Sequence, residues 1–447
     1  MMTTENRMTL AQARAIIATE GMGALAARLG ALAASNPLHA VIAQDYSAPE
    51  TGSGPLAGIP IGVKDNIDAV PFATTGGSPA MAGYFPAEDA GIVARIRAAG
   101  AWVPAKLNLH EFAFGITSDN GAYGAVLNPY DDNRTAGGSS GGSGAAVAAG
   151  IVPAAIGTDT GASVRIPASF CGVVGLRPST GRYSTQGVLP ISWSRDTPGF
   201  LANCVADVAE LDAVAAPTGL PEPVLPDRPL RLGLAQDARP GLCDKVEERF
   251  DAVLADLAQK GIVEVIDLPA LGYREAQEAY DVPTASVESY EFWSRFCPDV
   301  LGLSYATFTS RIGSPDVQAI FAATPDLAAE NALAHETYLR IIRPQMQARH
   351  GALFAAHGID ALIAPTCPVQ PAKRADYLTI TVGGETRPIL PVLAQNVSYA
   401  TYIGCPSLSL PAGLDRDGLP VGLLLDGLVG ADRALLEMAA RIEAALA

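Results

Sequence analysis

Two serines and one lysine in this sequence are of types that could together perform nucleophilic chemistry without a histidine. Two serines, Ser139 and Ser163, lie in the small-residue segments GGSSGGSG at 137–144 and GTDTGASVR at 157–165. A serine hydroxyl becomes an effective nucleophile only when a neighbouring base takes its proton. No histidine stands near either segment, and the candidate base is Lys64 of the segment GVKD. The pattern therefore predicts nucleophilic catalysis with lysine as the base.

Lys64 can act as a base near neutral pH only if burial favours its uncharged form. The pKa of lysine in water is about 10.4, and desolvation lowers it. The apolar neighbours Ile59, Ile61 and Val63 can provide that environment. Asp65 would raise the pKa of Lys64, so we expect the Asp65 side chain to point elsewhere.

The run at 137–144 allows other interpretations. Glycine- and serine-rich runs are usually flexible loops. A phosphate-binding loop is disfavoured, because the run lacks the Gly-Lys-Ser/Thr ending that such loops require. The pentapeptide GGSSG at 137–141 fits the elbow of Ser-His-Asp esterases, with Ser139 as nucleophile. That alternative leaves Lys64 and Ser163 unexplained.

The segments GVKD at 62–65, GGSSGG at 137–142 and GTDTGASVR at 157–165 resemble the three blocks of the amidase signature family in order and spacing. The resemblance continues in SFCGVVGLRP, DTPG, DALIAPT and GLPVG, and it covers residues 55–205 and 355–447. It implies an α/β protein with the amidase signature fold. In that fold a central mixed β-sheet is covered by helices on both faces and carries an inserted helical cap region.

The resemblance also implies a role for each reactive residue. Ser163 is the nucleophile that takes the acyl group, Ser139 relays the proton and follows a cis peptide bond, and Lys64 is the ultimate base. Asp159 and Arg165 are expected to pair and support the nucleophile loop. The backbone N–H groups of an oxyanion hole are those of Thr160, Gly161, Ala162 and Ser163.

The chain departs from the commonest family pattern at Ala162, where a glycine is usual. A Cβ at this position restricts positive φ, so we expect a slightly altered acyl pocket. By resemblance, the backbone of segment 110–118 contacts the substrate, with Ala113 and Gly115 as binding residues. Trp193 and Tyr402 are further candidates for the pocket wall.

Strands and helices alternate along the chain, which favours a mainly parallel or mixed sheet. We predict a strand over 58–63 that ends at Lys64, a helix over 143–150 and a strand over 151–156. Ligands of open α/β sheets bind at strand ends. The predicted organisation is an N-terminal helical segment packed on the core (1–55), the amidase signature core (56–219), a cap that shapes substrate choice (220–355) and the C-terminal part of the core (356–447).

Composition excludes several classes of ligand. The formal net charge is -16 over 447 residues, and the basic residues form no stripes, so a nucleic-acid backbone would be repelled. No cationic and apolar leader and no run of 18 apolar residues is present, so we expect a cytoplasmic protein without membrane contact. The six scattered cysteines and five histidines show no metal spacing. We expect neither a metal nor another cofactor.

Within the family, segments 108–118 and 181–184 most resemble the bacterial indoleacetamide and mandelamide hydrolases. This likeness implies hydrolysis of small aryl or arylalkyl amides, with water as second substrate, by a monomer or homodimer. Esters, anilides and carbamates are also candidate substrates, as in a urethane-cleaving enzyme of the same family. The alternative within the family is the glutamine-using subunit of a tRNA-dependent amidotransferase, which shares the three blocks.

Overall fold

The computed structural model describes residues 6–35, 37–47, 52–216, 223 and 225–447. The strands are β1 (Val41–Gln44), β2 (Ile61–Lys64), β3 (Ala105–Leu107), β4 (Ala154–Asp159), β5 (Val174–Arg177), β6 (Thr197–Ala202), β7 (Leu230–Ala235), β8 (Val263–Leu268), β9 (Ala361–Pro365), β10 (Thr379–Val382), β11 (Glu385–Pro388), β12 (Ser407–Leu414) and β13 (Pro420–Asp426). Among the described residues, eleven strands form one sheet in the order β1-β3-β2-β4-β6-β5-β12-β13-β9-β7-β8, while β10 and β11 form a hairpin.

The sheet is mixed. Strands β3, β2 and β4 run parallel at one end, and β9, β7 and β8 run parallel at the other. The strands between them pair antiparallel. This arrangement confirms the predicted central mixed sheet.

The helices connect and cover these strands. They are α1 (Leu10–Glu20), α2 (Met22–Ser35), α3 (Gly91–Ala98), α4 (Gly141–Ala148), α5 (Arg165–Cys171), α6 (Val205–Ala215), α7 (Asp244–Gln259), α8 (Tyr273–Asp299), α9 (Tyr305–Thr309), α10 (Pro315–Thr337), α11 (Arg343–His357), α12 (Ile389–Leu393), α13 (Ser398–Ile403) and α14 (Asp432–Leu446). A π-helical turn, Tyr338–Ile342, joins α10 to α11.

Both faces of the sheet are buried. Successive side chains of a strand point to opposite faces. In β4, Ala154 and Ile156 accordingly belong to a core cluster that includes Val208 of α6. Ala155 belongs to a second cluster with Val147 of α4. Helices therefore pack on both faces, as predicted.

Small residues allow α4 to pack closely against the backbone segment that contains Asn108. Every residue of Gly141–Ala148 is buried. A Cβ at Gly142 would lie 2.3 Å from the carbonyl oxygen of Asn108, so only glycine allows this approach. The helix therefore forms through packing, since glycine is a poor helix former.

Three sequence-based boundaries differ from the structure. Strand β4 runs three residues beyond the predicted end, to Asp159, and α4 begins at Gly141. Strands β7 and β8 belong to the main sheet, so the helical insertion begins at Tyr273 and not at 220. The boundary at 219–220 itself lies outside the described residues.

Candidate active site

Lys64 ends strand β2 inside the protein. Its side chain is fully buried, and its Nζ lies 2.8 Å from Oγ of Ser139 and 2.8 Å from Oγ1 of Thr158. Burial lowers the pKa of Lys64 to about 7, because a charged amine loses its hydration in the interior. An uncharged amine can accept a proton from the Ser139 hydroxyl.

Nearby carboxylates oppose this effect of burial. Asp159 and Asp196 both raise the pKa of Lys64, but desolvation outweighs them. Asp65, the next residue, is directed away: its carboxylate lies 3.1 Å from Nζ of Lys106 and accepts the Thr75 backbone N–H at 3.0 Å. This arrangement confirms the expectation that the Asp65 side chain points elsewhere.

Ser139 is held in the turn before α4. The Gly138–Ser139 peptide bond is cis, as the family resemblance implies. The carbonyl oxygen of Ser139 accepts hydrogen bonds from the backbone N–H of His110 at 3.0 Å and from Oγ of Ser118 at 3.2 Å. A Cβ at Gly138 would lie 2.7 Å from the Ile116 carbonyl carbon, so this turn requires glycine.

Ser140 links the Ser139 turn to the Ser163 segment. Its backbone N–H donates to the carbonyl oxygen of Ser163 at 3.1 Å. Its Oγ donates to the carbonyl oxygen of Thr158 at 3.1 Å. The three predicted reactive residues are therefore joined through one local network, with Lys64 and Ser139 in direct contact.

Residues 160–163, here called the nucleophile loop after the predicted role of Ser163, are supported by a buried ion pair. Nε of Arg165 donates to Oδ2 of Asp159 at 3.0 Å, and both side chains are fully buried. Burial opposes ionisation of Asp159, but the charges of Arg165 and Arg177 outweigh it and lower its pKa. The predicted Asp159–Arg165 pair is confirmed.

The same arginine orients the loop backbone. Nη2 of Arg165 donates to the carbonyl oxygen of Gly161 at 3.1 Å. In a trans peptide the following N–H points the opposite way, so the Ala162 N–H is directed away from Arg165. Within the described part of the chain, the backbone N–H groups of Gly161, Ala162 and Ser163 donate to no protein acceptor.

A second support of the loop gave no signal in the sequence. Oγ1 of Thr160 donates to Oδ1 of Asp196 at 2.5 Å. The other oxygen of Asp196 accepts the backbone N–H groups of Ile191 and Ser192. Desolvation raises the pKa of Asp196 to about 6. DTPG at 196–199 carried part of the family resemblance, but nothing in it indicated this contact.

A cavity of about 490 Å³ lies beside the nucleophile loop and includes Ser163 in its wall. Its walls are mainly apolar and come from residues 113–116, from α10 and from α8. On α8 the lining residues share one helical face: Gln277, Asp281, Val282, Ala285 and Ser286. The cavity therefore lies between the core and the helical insertion.

Two of the four predicted binding residues line this cavity, namely Ala113 and Gly115. Trp193 and Tyr402 do not. Trp193 is 54% exposed and donates through Nε1 to Glu291 on the surface. Tyr402 is fully buried behind the wall, where its ring lies 5.4 Å from the guanidinium of Arg195.

Arg195 is a cavity residue that sequence reasoning missed. It is buried, and its Nη1 donates to Oδ1 of Asp281 at 2.7 Å. The two residues are 86 positions apart, so no local pattern could have paired them.

The sequence model of the amidase family matches residues 13–436. The chain belongs to the amidase signature family. It is 38% identical over 396 residues to an indoleacetamide hydrolase of Agrobacterium vitis, covering 88% of this chain and 84% of that relative. It is 37% identical over 409 residues to a mandelamide hydrolase of Pseudomonas putida, covering 88% of this chain and 79% of the relative.

Solved structures agree with this membership. A crystal structure of an amidase superposes with a TM-score of 0.84 at 30% identity, covering 98% of this chain and 100% of the other. As a member of the amidase signature family, the protein is an amide-hydrolysing enzyme. No helix in the described part of the chain is both long and apolar enough to cross a bilayer.

Proposed function

We propose that this amidase cleaves small aryl or arylalkyl amides through an acyl-enzyme on Ser163, with Ser139 as proton relay and Lys64 as base. The contact that carries this proposal is the 2.8 Å approach of Lys64 Nζ to Ser139 Oγ. Ser163 lines the cavity, whereas Ser139 and Lys64 are fully buried behind it. This difference in exposure supports Ser163 as the nucleophile that faces the substrate and Ser139 as the relay to the buried base.

The acylation step then proceeds as follows. Oγ of Ser163 bonds to the amide carbonyl carbon as its proton passes to Ser139, whose own proton passes to uncharged Lys64. The resulting ammonium returns a proton along the same route to the amide nitrogen. The C–N bond breaks, ammonia or an amine leaves, and water hydrolyses the acyl-enzyme by the reverse proton transfers.

The nucleophile loop supports the charge that develops on the carbonyl oxygen. Backbone N–H groups aimed at a tetrahedral intermediate contribute about 3 kcal/mol each. The N–H groups of Gly161, Ala162 and Ser163, which have no acceptor among the described residues, are suited to this role. We also infer that Thr160 belongs to the hole. Arg165 and Asp196 hold the loop in place before the substrate arrives.

The residues that line the cavity favour a substrate with an uncharged aromatic acyl group. The walls are largely apolar, and Arg195 is neutralised by Asp281. The relatives named for indoleacetamide and mandelamide indicate the same class. Acyl-enzyme chemistry also extends to esters, anilides and carbamates, which we include as candidate substrates.

The other two candidate functions find less support. A Ser-His-Asp esterase would need the Ser139 hydroxyl at the cavity, but Ser139 is fully buried and bonded to lysine. A glutamine-using amidotransferase subunit must bind an ammonium and a carboxylate. Arg195 and Asp281, the charged residues that line the cavity, already pair with each other.

Intact-mass measurement tests the proposal. Wild type, Ser163→Ala and the surface control Ser310→Ala are each incubated briefly with aryl amides, anilides, esters and carbamates. We expect an acyl adduct on wild type and on the control, and neither adduct nor turnover with Ser163→Ala. Unchanged turnover by Ser163→Ala would refute the assignment of the nucleophile.

A further inference from the structure

One wall of the cavity carries a buried amide side chain, that of Gln277. Gln277 lies on α8, is only 5% exposed and lines the cavity. Among the described residues its side-chain amide makes no hydrogen bond. Buried amides are normally paired, because an unpaired one loses its hydration without compensation. An unpaired amide that faces a cavity therefore points to a ligand.

Most other polar groups of the wall are already engaged. Arg195 and Asp281 pair at 2.7 Å. The hydroxyls of Ser286 and Thr324 each donate at 2.7 Å to a carbonyl oxygen of their own helix. The hydroxyl of Ser398 shares with Gln277 the lack of a described protein partner, but it is a smaller group on a different wall.

We propose that Gln277 is a specificity-determining residue that recognises a polar atom on the acyl group. This inference rests on the proposed function. An amide has both donors and an acceptor, so it can bond an N–H or a hydroxyl carried by an otherwise apolar aromatic group. The substrate class is therefore an uncharged aryl amide with one hydrogen-bonding substituent. Analogues that lack the substituent leave Gln277 unpaired and react less well.

Two matched substrate pairs test this role. Indole-3-acetamide is compared with 1-naphthaleneacetamide, which lacks the ring N–H, and mandelamide with phenylacetamide, which lacks the hydroxyl. The ratio of kcat/KM within each pair is measured for wild type, Gln277→Met, Gln277→Leu and Ser398→Ala. Glu278→Met, an exposed neighbour on the same helix, is the control.

We expect wild type and the control to favour the polar member of at least one pair. Gln277→Met and Gln277→Leu should reduce that preference by about five- to tenfold, which corresponds to one neutral hydrogen bond, while the apolar member is still hydrolysed. A preference unchanged in both Gln277 variants, or lost only in Ser398→Ala, overturns the inference but leaves the proposed function intact. If wild type hydrolyses none of the four amides, the proposed function is refuted, and this inference is refuted with it.

Discussion

At the scale of single residues, the reactivity of the site depends on how strongly burial acts on Lys64. With its ordinary pKa of 10.5, only about one lysine in 3000 is uncharged at pH 7. The lowered pKa of about 7 leaves about half of the molecules with an uncharged amine at that pH. Asp159 and Asp196 limit the shift, so the lysine remains able to hold the proton that it later returns.

Activity should therefore depend on pH through Lys64. The uncharged form is the base, so kcat/KM should rise with pH through an apparent pKa near 7. At pH 6 it should fall to about a tenth of its plateau. Lys64→Met should lose most amide turnover and also the rise near pH 7. Lys64→Arg, which keeps the charge and cannot deprotonate, should be equally inactive. The same rise near pH 7 in Lys64→Met would exclude lysine as the titrating base.

At the scale of elements, the end of β4 brings the site together. Thr158 contacts Lys64, Asp159 pairs with Arg165 at the start of α5, and Ser140 before α4 bonds the Thr158 carbonyl. Gly157 lies against this junction: a Cβ there would be 2.8 Å from Oγ of Ser140. The strand thus controls the spacing between the two serine-bearing segments.

Two glycine substitutions of equal size should differ in effect. Gly157→Ala forces Ser140 to move, and overpacking of this kind costs about 1–3 kcal/mol. Gly161→Ala places its Cβ in open space, with no atom within 4 Å. We expect a lower melting temperature and lower kcat for Gly157→Ala, and an unchanged melting temperature for Gly161→Ala. Equal melting temperatures for the two variants would contradict the role given to β4.

Local signals accounted for much of the site but not for its outer contacts. Lys64 at a strand end followed from its apolar neighbours, and Asp159 and Arg165 are only six residues apart. The Thr160–Asp196 and Arg195–Asp281 contacts join residues 36 and 86 positions apart, and only the folded sheet brings them together. Trp193 was an aromatic residue without periodic context, so its surface position could not be inferred.

At the scale of the whole molecule, the helical insertion completes the site that the sheet begins. The 191–196 segment of the core contacts both the nucleophile loop, through Asp196, and the insertion, through Glu288 of α8. The predicted cap, 220–355, includes β7 and β8, which follow a stretch with five prolines between 217 and 229. Their pairing with β9 is a long-range contact that the local pattern does not specify.

Glu288 is a buried residue of α8 that links the helical insertion to the core. Its buried carboxylate accepts hydrogen bonds from Ser192 Oγ at 2.7 Å, from the Ser194 N–H at 2.9 Å and from His335 Nε2 at 2.7 Å. Glu288→Ala leaves these donors unpaired and should lower the free energy of unfolding by about 3 kcal/mol.

The control, Glu291→Ala, removes an exposed carboxylate one turn later and should change the free energy of unfolding by less than about 0.5 kcal/mol. Chemical denaturation of both variants measures the difference, and kcat/KM should fall only in Glu288→Ala. Equal stability of the two variants would show that core and insertion hold together without this carboxylate.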